Sequence, residues 1–235
     1  MARSRILGNG LLAAYSATPT TPVAGYTGWW KADALSLSDG DAVATWTATT
    51  GTNFTQGTAG QKPTYKTNIV NGKPVVRFDG GDRMVATGFN GGARPTFFFV
   101  IIPSSTSPIG FFDSAPWSAH VARNYTAGVW EWWSNAPNTS LGLANTNPVV
   151  LTFKMNESGG TRTVTYRKNG TQISANTASN SNTVAWANPE VGSINNGGTA
   201  YYTGDIAEIL IYNSILSDAD CASTEAYLKA KYGMT

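Results

Sequence analysis

The sequence predicts an all-β protein, a two-sheet antiparallel sandwich with one helix at its C-terminus. Three observations support this fold class. About a dozen short segments rich in β-branched and aromatic residues alternate with Gly-, Asn-, Asp- and Pro-containing turns. Residues 96–102 (TFFFVII) and 204–213 (GDIAEILIYN) are nearly continuous apolar runs, typical of strands buried on both faces. One helical pattern follows at residues 217–233.

The last strand and the helix are the best-defined elements. Regular alternation would put Ile206 and Glu208 on one face of this strand and Asp205 and Ala207 on the other. Asp205 and Glu208 would then point to opposite sides of the sheet. A buried Glu208 requires a partner, and Arg77 is the candidate. The helix has matching end signals: Ser217 as N-cap, two acidic residues in the first turn, two lysines near the end and Gly233 as the stop.

The other strands are shorter. They are predicted, in chain order, at residues 25–32, 41–46, 74–78, 109–113, 120–122, 128–133, 149–156, 162–168, 172–174 and 189–194. Asn169-Gly170 is the strongest hairpin signal. Residues 53–67 are predicted to be a polar loop with a short extended piece around Tyr65. We expect one domain over residues 26–235, preceded by an extended arm over residues 1–25, whose Thr/Pro segment cannot form regular helix or central strand.

Composition excludes several classes of function. Charged residues make up 13% of the chain and the net charge is +2, with no Lys/Arg cluster among the aromatics, so we expect no nucleic-acid partner. No apolar run approaches 18 residues, so no membrane span is predicted. Cys221 is the single cysteine, which excludes an intramolecular disulfide and predicts a buried, unreactive thiol.

The N-terminal segment resembles a signal peptide only weakly. Arg3 and Arg5 precede an apolar stretch that Gly8-Asn9-Gly10 interrupts. We therefore expect an uncleaved arm that is ordered against its own domain or against another chain. The residues predicted to anchor it are the two arginines and the apolar side chains that follow them: Arg3, Arg5, Ile6, Leu7, Leu11 and Leu12.

Three stretches resemble the bacterial and phage branch of the concanavalin A-like lectin/glucanase superfamily, the laminin-G-like domains. They are WKADAL with DGDAVATW (residues 30–46), KPTY with NGKPVVRFDG (residues 62–80), and GDIAE through LSD and EAYL to KYG (residues 204–233). The resemblance implies a jelly roll in which the first and last strands pair. It covers roughly residues 26–233 and leaves the arm outside. Because this superfamily contains lectins, enzymes, adhesion modules and virion proteins, fold alone does not decide function.

Catalysis is not predicted. The glucanases of this superfamily carry two or three carboxylates on one strand in an E-x-D-x-x-E-like signature, and this sequence has none. Glu131 and Glu208 have apolar neighbours on their own faces, and His120 is the only histidine. Hydrolysis would require carboxylates remote in sequence to converge. Related domains often bind Ca²⁺, and Asp79 and Asp82 are the best ligand pair here, although the pattern favours an ordinary Asp-Gly turn in which Asp caps its own backbone.

Aromatic residues are the main candidates for a binding site. Stacking platforms for sugar rings could be formed by Trp117, Trp130, Trp132, Tyr201 and Tyr202, with Asn-rich loops supplying amide hydrogen bonds. Alternatively, these aromatic side chains fill the core or a subunit contact.

The function predicted from the sequence is a non-enzymatic bacteriophage virion protein, a capsid decoration or tail-associated protein that binds the particle through its arm. Its expected partners are virion proteins such as the major capsid protein, further copies of itself in an oligomer that is trimeric by analogy, and cell-surface glycans. No cofactor is expected beyond Ca²⁺. The alternative is a secreted or displayed carbohydrate-binding lectin module; a glycan hydrolase is a third possibility.

Overall fold

The computed structural model describes residues 18–104, 110–115, 120–123, 129–133, 139–143, 146–179, 186–194 and 200–235. Its elements are nineteen strands and one α-helix, with two short 3₁₀ turns at Ala32–Ala34 and Ala59–Gln61. The strands are β1 (Gly28–Lys31), β2 (Thr45–Trp46), β3 (Ala48–Thr50), β4 (Phe54–Thr55), β5 (Thr64–Val70), β6 (Lys73–Asp79), β7 (Met84–Val85), β8 (Thr96–Pro103), β9 (Gly110–Ala115), β10 (His120–Arg123), β11 (Val129–Trp133), β12 (Thr139–Leu143), β13 (Val149–Ser158), β14 (Thr161–Lys168), β15 (Thr171–Ser179), β16 (Ala187–Val191), β17 (Ser193–Ile194), β18 (Ala200–Tyr201) and β19 (Thr203–Tyr212). The helix is α1 (Asp218–Lys231).

The strands form two large antiparallel sheets, which confirms the predicted sandwich. The first sheet has the order β15-β14-β13-β8-β19-β1-β3, with β6 also paired to β19 and β5 to β6. The second has the order β12-β11-β10-β9-β16-β7-β4-β2, and β17 and β18 form a small separate pair. The first strand pairs with the last, Gly28 opposite Ile211 and Lys31 opposite Glu208, as the jelly-roll resemblance implied.

Two clusters of buried apolar side chains stabilise this arrangement of the sheets. Between the sheets lies a large core that includes Trp30, Phe99, Phe112 and Trp186. On its other face, the first sheet packs against α1 through a second cluster that includes Leu210. The first sheet is therefore covered on both faces along much of its length, which explains why β8 and β19 lack apolar and polar alternation.

Several boundaries differ from the predictions. The short extended piece predicted around Tyr65 belongs to a longer strand, β5, which covers part of the predicted loop. Residues 41–46 contain only the two-residue strand β2 with an isolated bridge between Ala42 and Thr64. The β14–β15 hairpin turns at Asn169-Gly170 as predicted, with positive φ at both positions (50° and 90°), and its return strand is longer than expected. Polar β-strands such as β5 lack the apolar pattern that identifies a strand in sequence.

The helix begins and ends where the sequence predicts. The Ser217 Oγ accepts a hydrogen bond from the Asp220 N–H at 3.1 Å, and Gly233 follows the last turn with φ of 65°. Cys221 is buried as predicted, and burial raises its thiol pKa to about 11. In the part of the chain that the structure describes, no helix is long and apolar enough to cross a membrane.

Regular alternation fails in β19. The pairing register with β8 shifts between Ile206 and Glu208, so Ala207 and Glu208 both lie on the helix side, while Ile206 lies in the core between the sheets. Asp205 and Glu208 consequently share a face, contrary to the sequence prediction. A β-bulge of this kind adds a residue to one strand and reverses the faces beyond it.

Candidate carbohydrate-binding site

The predicted tryptophans lie in the second sheet or outside the described residues. Trp130 and Trp132 belong to β11, which lies between β10 and β12 in the half of the sheet farthest from β2. The side chains of β11 and all of Trp117 lie outside the described residues. The backbone pairing therefore places two predicted sugar-stacking residues on one strand of the second sheet.

The two predicted tyrosines differ from each other. Tyr201 is partly exposed in β18. Tyr202 is completely buried, its ring packs 6.1 Å from Phe78 and 5.8 Å from Phe111, and its hydroxyl donates to the Asp205 carbonyl at 3.3 Å. Its prediction as a sugar-stacking residue is wrong, because Tyr202 follows a two-residue strand and its ring enters the core. Trp186 is likewise a core side chain, with its ring 4.9 Å from that of Phe97.

The predicted calcium pair forms a hydrogen-bonded turn. The Gly81 N–H donates to Asp79 Oδ1 at 2.9 Å, and the Asp79 N–H donates to Asp82 Oδ2 at 3.0 Å. Each carboxylate thus satisfies the backbone of its own turn, as in an ordinary Asp-Gly turn. Among the described residues, no group of three or more His, Cys, Asp or Glu side chains has an arrangement suited to a metal ion.

The buried position of Asp82 predicts a pH-dependent stability. Burial raises the pKa of Asp82 to about 6, and the neighbouring Asp79 charge adds to this increase. Because this pKa is higher in the folded than in the unfolded chain, ionisation of Asp82 lowers stability as pH rises from about 4 through 6. We expect Asp82→Asn to raise the free energy of unfolding by about 1–3 kcal/mol at pH 8 and to leave it unchanged at pH 4. Urea unfolding at the two pH values measures this.

Asp41 provides a matched control. Its Oδ2 accepts from the Ser38 N–H at 2.7 Å, the same three-residue spacing, but Asp41 is exposed. We expect Asp41→Asn to change stability by less than about 0.5 kcal/mol at either pH. Equal stability of Asp82→Asn and the parent protein at pH 8 would contradict the account of Asp82.

The second sheet brings together two carboxylates that are remote in sequence. Asp113 of β9 lies directly opposite Glu190 of β16, on the face away from the core, since their strand neighbours Phe112 and Val191 point into it. Both are buried, with 3% and 5% of their surface exposed. Ser193 donates a hydrogen bond to Glu190, and Arg83 Nη1 lies 3.7 Å from the same Oε1 atom. Sequence reasoning missed this pair because only strand pairing brings its members together.

Glu208 is a structural residue, but its predicted partner is wrong. Its carboxylate accepts hydrogen bonds from Trp29 Nε1 (2.6 Å), Lys231 Nζ (2.7 Å) and the Tyr232 hydroxyl (2.8 Å). Arg77 instead lies opposite Asp205 in the β6–β19 register and pairs with it. These contacts tie β1, β19 and the end of α1 together.

A cleft opens beside the paired strands β6 and β19 of the first sheet. Its volume is about 520 Å³, and we call it the β6–β19 cleft; it is lined by Arg77, Phe78, Asp79, Ile102, Pro103, Ser104, Thr146, Thr203, Gly204 and Asp205. Asp79 and Arg77 are distant in sequence from residues 203–205, and no local pattern connects them. Only the register of β6 on β19 does so.

The predicted anchoring residues, Arg3, Arg5, Ile6, Leu7, Leu11 and Leu12, lie outside the described residues. The described part of the arm, from Thr18, has no regular secondary structure up to β1. It contacts the domain at Val23, whose carbonyl accepts from the Tyr212 hydroxyl at 2.6 Å and whose N–H donates to Thr224 Oγ1 at 3.3 Å. The C-terminal end of the arm therefore lies against α1.

The fold, a two-sheet antiparallel β-sandwich with one C-terminal helix, is shared with solved structures of low sequence identity. Among solved structures, the chain is similar to domain 4 of AbnA, an extracellular arabinanase from Geobacillus stearothermophilus solved with arabinotriose. The TM-score is 0.59 at 16% identity, and the match covers 86% of this chain and 98% of that domain.

The similarity extends to domains of longer proteins. A Trypanosoma rangeli sialidase solved with the inhibitor DANA matches with a TM-score of 0.53 and 15% identity, over 92% of this chain but 34% of the sialidase. A mutant of HCR/D matches with a TM-score of 0.52 and 16% identity, over 83% of this chain and 51% of that one. The chain thus spans about a third of the sialidase and half of HCR/D. No protein-family profile matches the sequence, and no curated protein shows significant similarity to it.

Proposed function

We propose that this protein is a non-enzymatic carbohydrate-binding module with a lectin-like fold. One observation carries the proposal: the chain matches almost the whole length of an arabinanase domain that was solved with a bound trisaccharide. Because the match covers 86% of this chain and 98% of that domain, the similarity includes both sheets. The sialidase and HCR/D matches support the same fold at lower coverage.

We propose the tryptophan-bearing half of the second sheet as the primary binding surface. Indole rings stack on the C–H faces of sugars, and shallow lectin sites combine such rings with a few polar groups. Trp130 and Trp132 are the candidates for stacking, with Trp117 and Tyr201 as further contacts. Tyr202 is not among them because its ring is fully buried.

Calorimetric titration with arabinotriose, cellotriose and sialyllactose tests the proposal. We expect at least one saccharide to bind, and Trp130→Ala or Trp132→Ala to weaken binding by about 5- to 30-fold, because loss of a stacked ring removes about 1–2 kcal/mol. Trp186→Phe is the matched control, since this tryptophan is buried in the core. Unchanged affinity in both β11 variants would exclude β11 as the binding strand.

A hydrolytic function is the weaker candidate. The carboxylate pair of the second sheet, Asp113 and Glu190, is nearly inaccessible, and Arg83 and Ser193 hold Glu190. A glycosidase needs both carboxyl groups in contact with the glycosidic bond, one of them with space for water or a nucleophilic attack. We therefore propose a structural role for this pair. Release of reducing sugar that is lost in Glu190→Gln or Glu131→Gln would reverse this assignment.

The virion role depends on residues 1–17, which lie outside the described residues, and it stays a prediction. It is compatible with glycan binding, because a particle protein that binds cell-surface glycans would need both an anchor and a lectin-like domain. Oligomerisation and the virion or extracellular location likewise stay predictions.

A further inference from the structure

The outer face of the first sheet is only partly covered by α1. Side chains from β8, β13 and β19 pack under the helix, including Phe98, Val150 and Leu210. Beyond the helix end, the same face carries a cross-strand row in which Arg77 lies opposite Asp205 and Asp205 opposite Ile102. The neighbouring row pairs Asp79 with Thr203. The β6–β19 cleft lies over these two rows.

The arginine in this cleft is held in a fixed orientation. Asp205 accepts from Arg77 Nε at 2.7 Å and from Nη2 at 2.8 Å, a two-point pairing that fixes the guanidinium plane. The Asp205 side chain is 7% exposed, whereas the Arg77 side chain is 44% exposed. Hydrogen bonding to Asp205 raises the pKa of Arg77, so the group stays cationic. Because the guanidinium is planar, its Nη1 protons lie on the edge away from Asp205.

The remaining lining supplies acceptors, hydroxyls and an apolar wall. Asp79 is fixed through its bond from the Gly81 N–H, and Thr203, Ser104 and Thr146 add hydroxyl groups. Ile102 and Pro103 add apolar surface. A cleft of about 520 Å³ with convergent donors and acceptors beside an apolar wall has the size and chemistry of a small-molecule site.

The charge of the lining limits the class of ligand. Arg77 contributes one positive charge, and Asp79 and Asp205 contribute two negative charges, so the ionisable lining sums to −1. A carboxylated sugar would meet this net negative charge and an arginine already paired with Asp205. A neutral saccharide can instead donate its hydroxyl protons to the carboxylates and accept from Arg77 and the hydroxyl groups.

We propose that the β6–β19 cleft is a second saccharide-binding site, selective for neutral over acidic sugars. It lies on the first sheet, whereas the primary surface proposed above is on the second sheet. The inference depends on the proposed function in one respect, which is that the ligand is a saccharide. The floor of the cleft has no space for a side chain at position 204, since a Cβ on Gly204 would lie 2.7 Å from the Ile102 carbonyl oxygen and 2.6 Å from the Tyr202 hydroxyl.

The test uses the full chain, labelled with ¹⁵N, and titrates it with cellotriose, maltotriose and mannotriose as neutral probes and sialyllactose as an acidic probe. We expect a neutral probe to shift the amide signals of residues 79–81 and 203–205, and sialyllactose to shift them at least tenfold more weakly. Ser104→Trp should reduce the affinity at this site at least tenfold, because an exposed Ser104 replaced by an indole fills the cleft.

Two controls separate this inference from the proposed function. Ser158→Trp places the same indole at an exposed position at the far end of β13 and should leave all affinities within twofold. Binding that is lost in Trp130→Ala but is unchanged in Ser104→Trp would overturn the cleft site and leave the lectin function standing. Absence of binding by every saccharide would overturn both. Signals at residues 203–205 that respond to CaCl₂ but to no sugar would identify a cation site instead and would also overturn the inference.

Discussion

Replacing Glu208 with Gln is expected to lower the free energy of unfolding by about 3 kcal/mol, because Glu208 is a fully buried charge with three hydrogen-bond donors. A glutamine has the same shape, but its NH₂ group would face one of the three donors and could not accept its hydrogen bond. The Lys231 cation would lose one of its two carboxylate partners and keep only Asp33, at 3.1 Å. Urea unfolding followed by circular dichroism measures the loss. For a chain of this size, it corresponds to a fall in Tm of about 6–12 °C.

The Glu208 experiment has a partner variant and a control. Lys231→Met should cost a similar amount, and the double variant should cost less than the sum, since both single changes break the same ion pair. Asp39→Asn removes an exposed ion pair with Lys66 and should cost less than about 1 kcal/mol. A loss below about 1 kcal/mol in Glu208→Gln would show that this network does not stabilise the closure of β1 onto β19.

A loss of about 3–5 kcal/mol is expected for Arg167→Met, which leaves Glu225 buried without its cation. Arg167 donates to the two carboxylate oxygens of Glu225 at 2.8 and 2.9 Å, and Thr152 adds a third bond at 2.7 Å. Only 1% of the Glu225 side chain is exposed. This ion pair fixes the middle of α1 to the β13–β14 hairpin, so the variant should unfold at a clearly lower urea concentration.

The double variant Arg167→Met, Glu225→Leu distinguishes the ion pair from packing. Removing both charges should recover at least half of the loss, since apolar residues of similar volume can replace a buried ion pair. Asp218→Asn is the control on the same helix: its carboxylate pairs with Lys154 but is 72% exposed, and the cost should stay below about 1 kcal/mol. If the double variant recovers no stability, the loss in Arg167→Met comes from poor packing of the methionine and not from the unpaired Glu225 charge.

Sequence patterns were sufficient for the architecture but not for strand faces. The apolar runs of β8 and β19 and the end signals of α1 are local, and the structure confirms them. The bulge in β19 is not encoded by a local pattern; it follows from pairing with β8. For this reason, Ile206 was placed on the same face as Glu208 although it lies in the core between the sheets. Glu208 was also assigned to Arg77, whereas pairing put Arg77 opposite Asp205.

The same limit applies to the candidate sites. Alternation in β11 was sufficient to nominate Trp130 and Trp132, because both residues lie on one strand. By contrast, the Asp113–Glu190 pair and the β6–β19 cleft depend on which strands become neighbours. Tyr202 illustrates the opposite error: an aromatic residue in a polar, Gly-rich segment resembled a surface residue, but its ring lies beneath Phe78 and Phe111.

The most direct measurement of the central claim is the binding of the full chain to an array of neutral and acidic glycans. We expect saturable binding to at least one neutral oligosaccharide, reduced by about fivefold or more in Trp130→Ala or Trp132→Ala. A folded sample that binds no glycan, with its cooperative urea transition intact, would contradict the assignment as a carbohydrate-binding module.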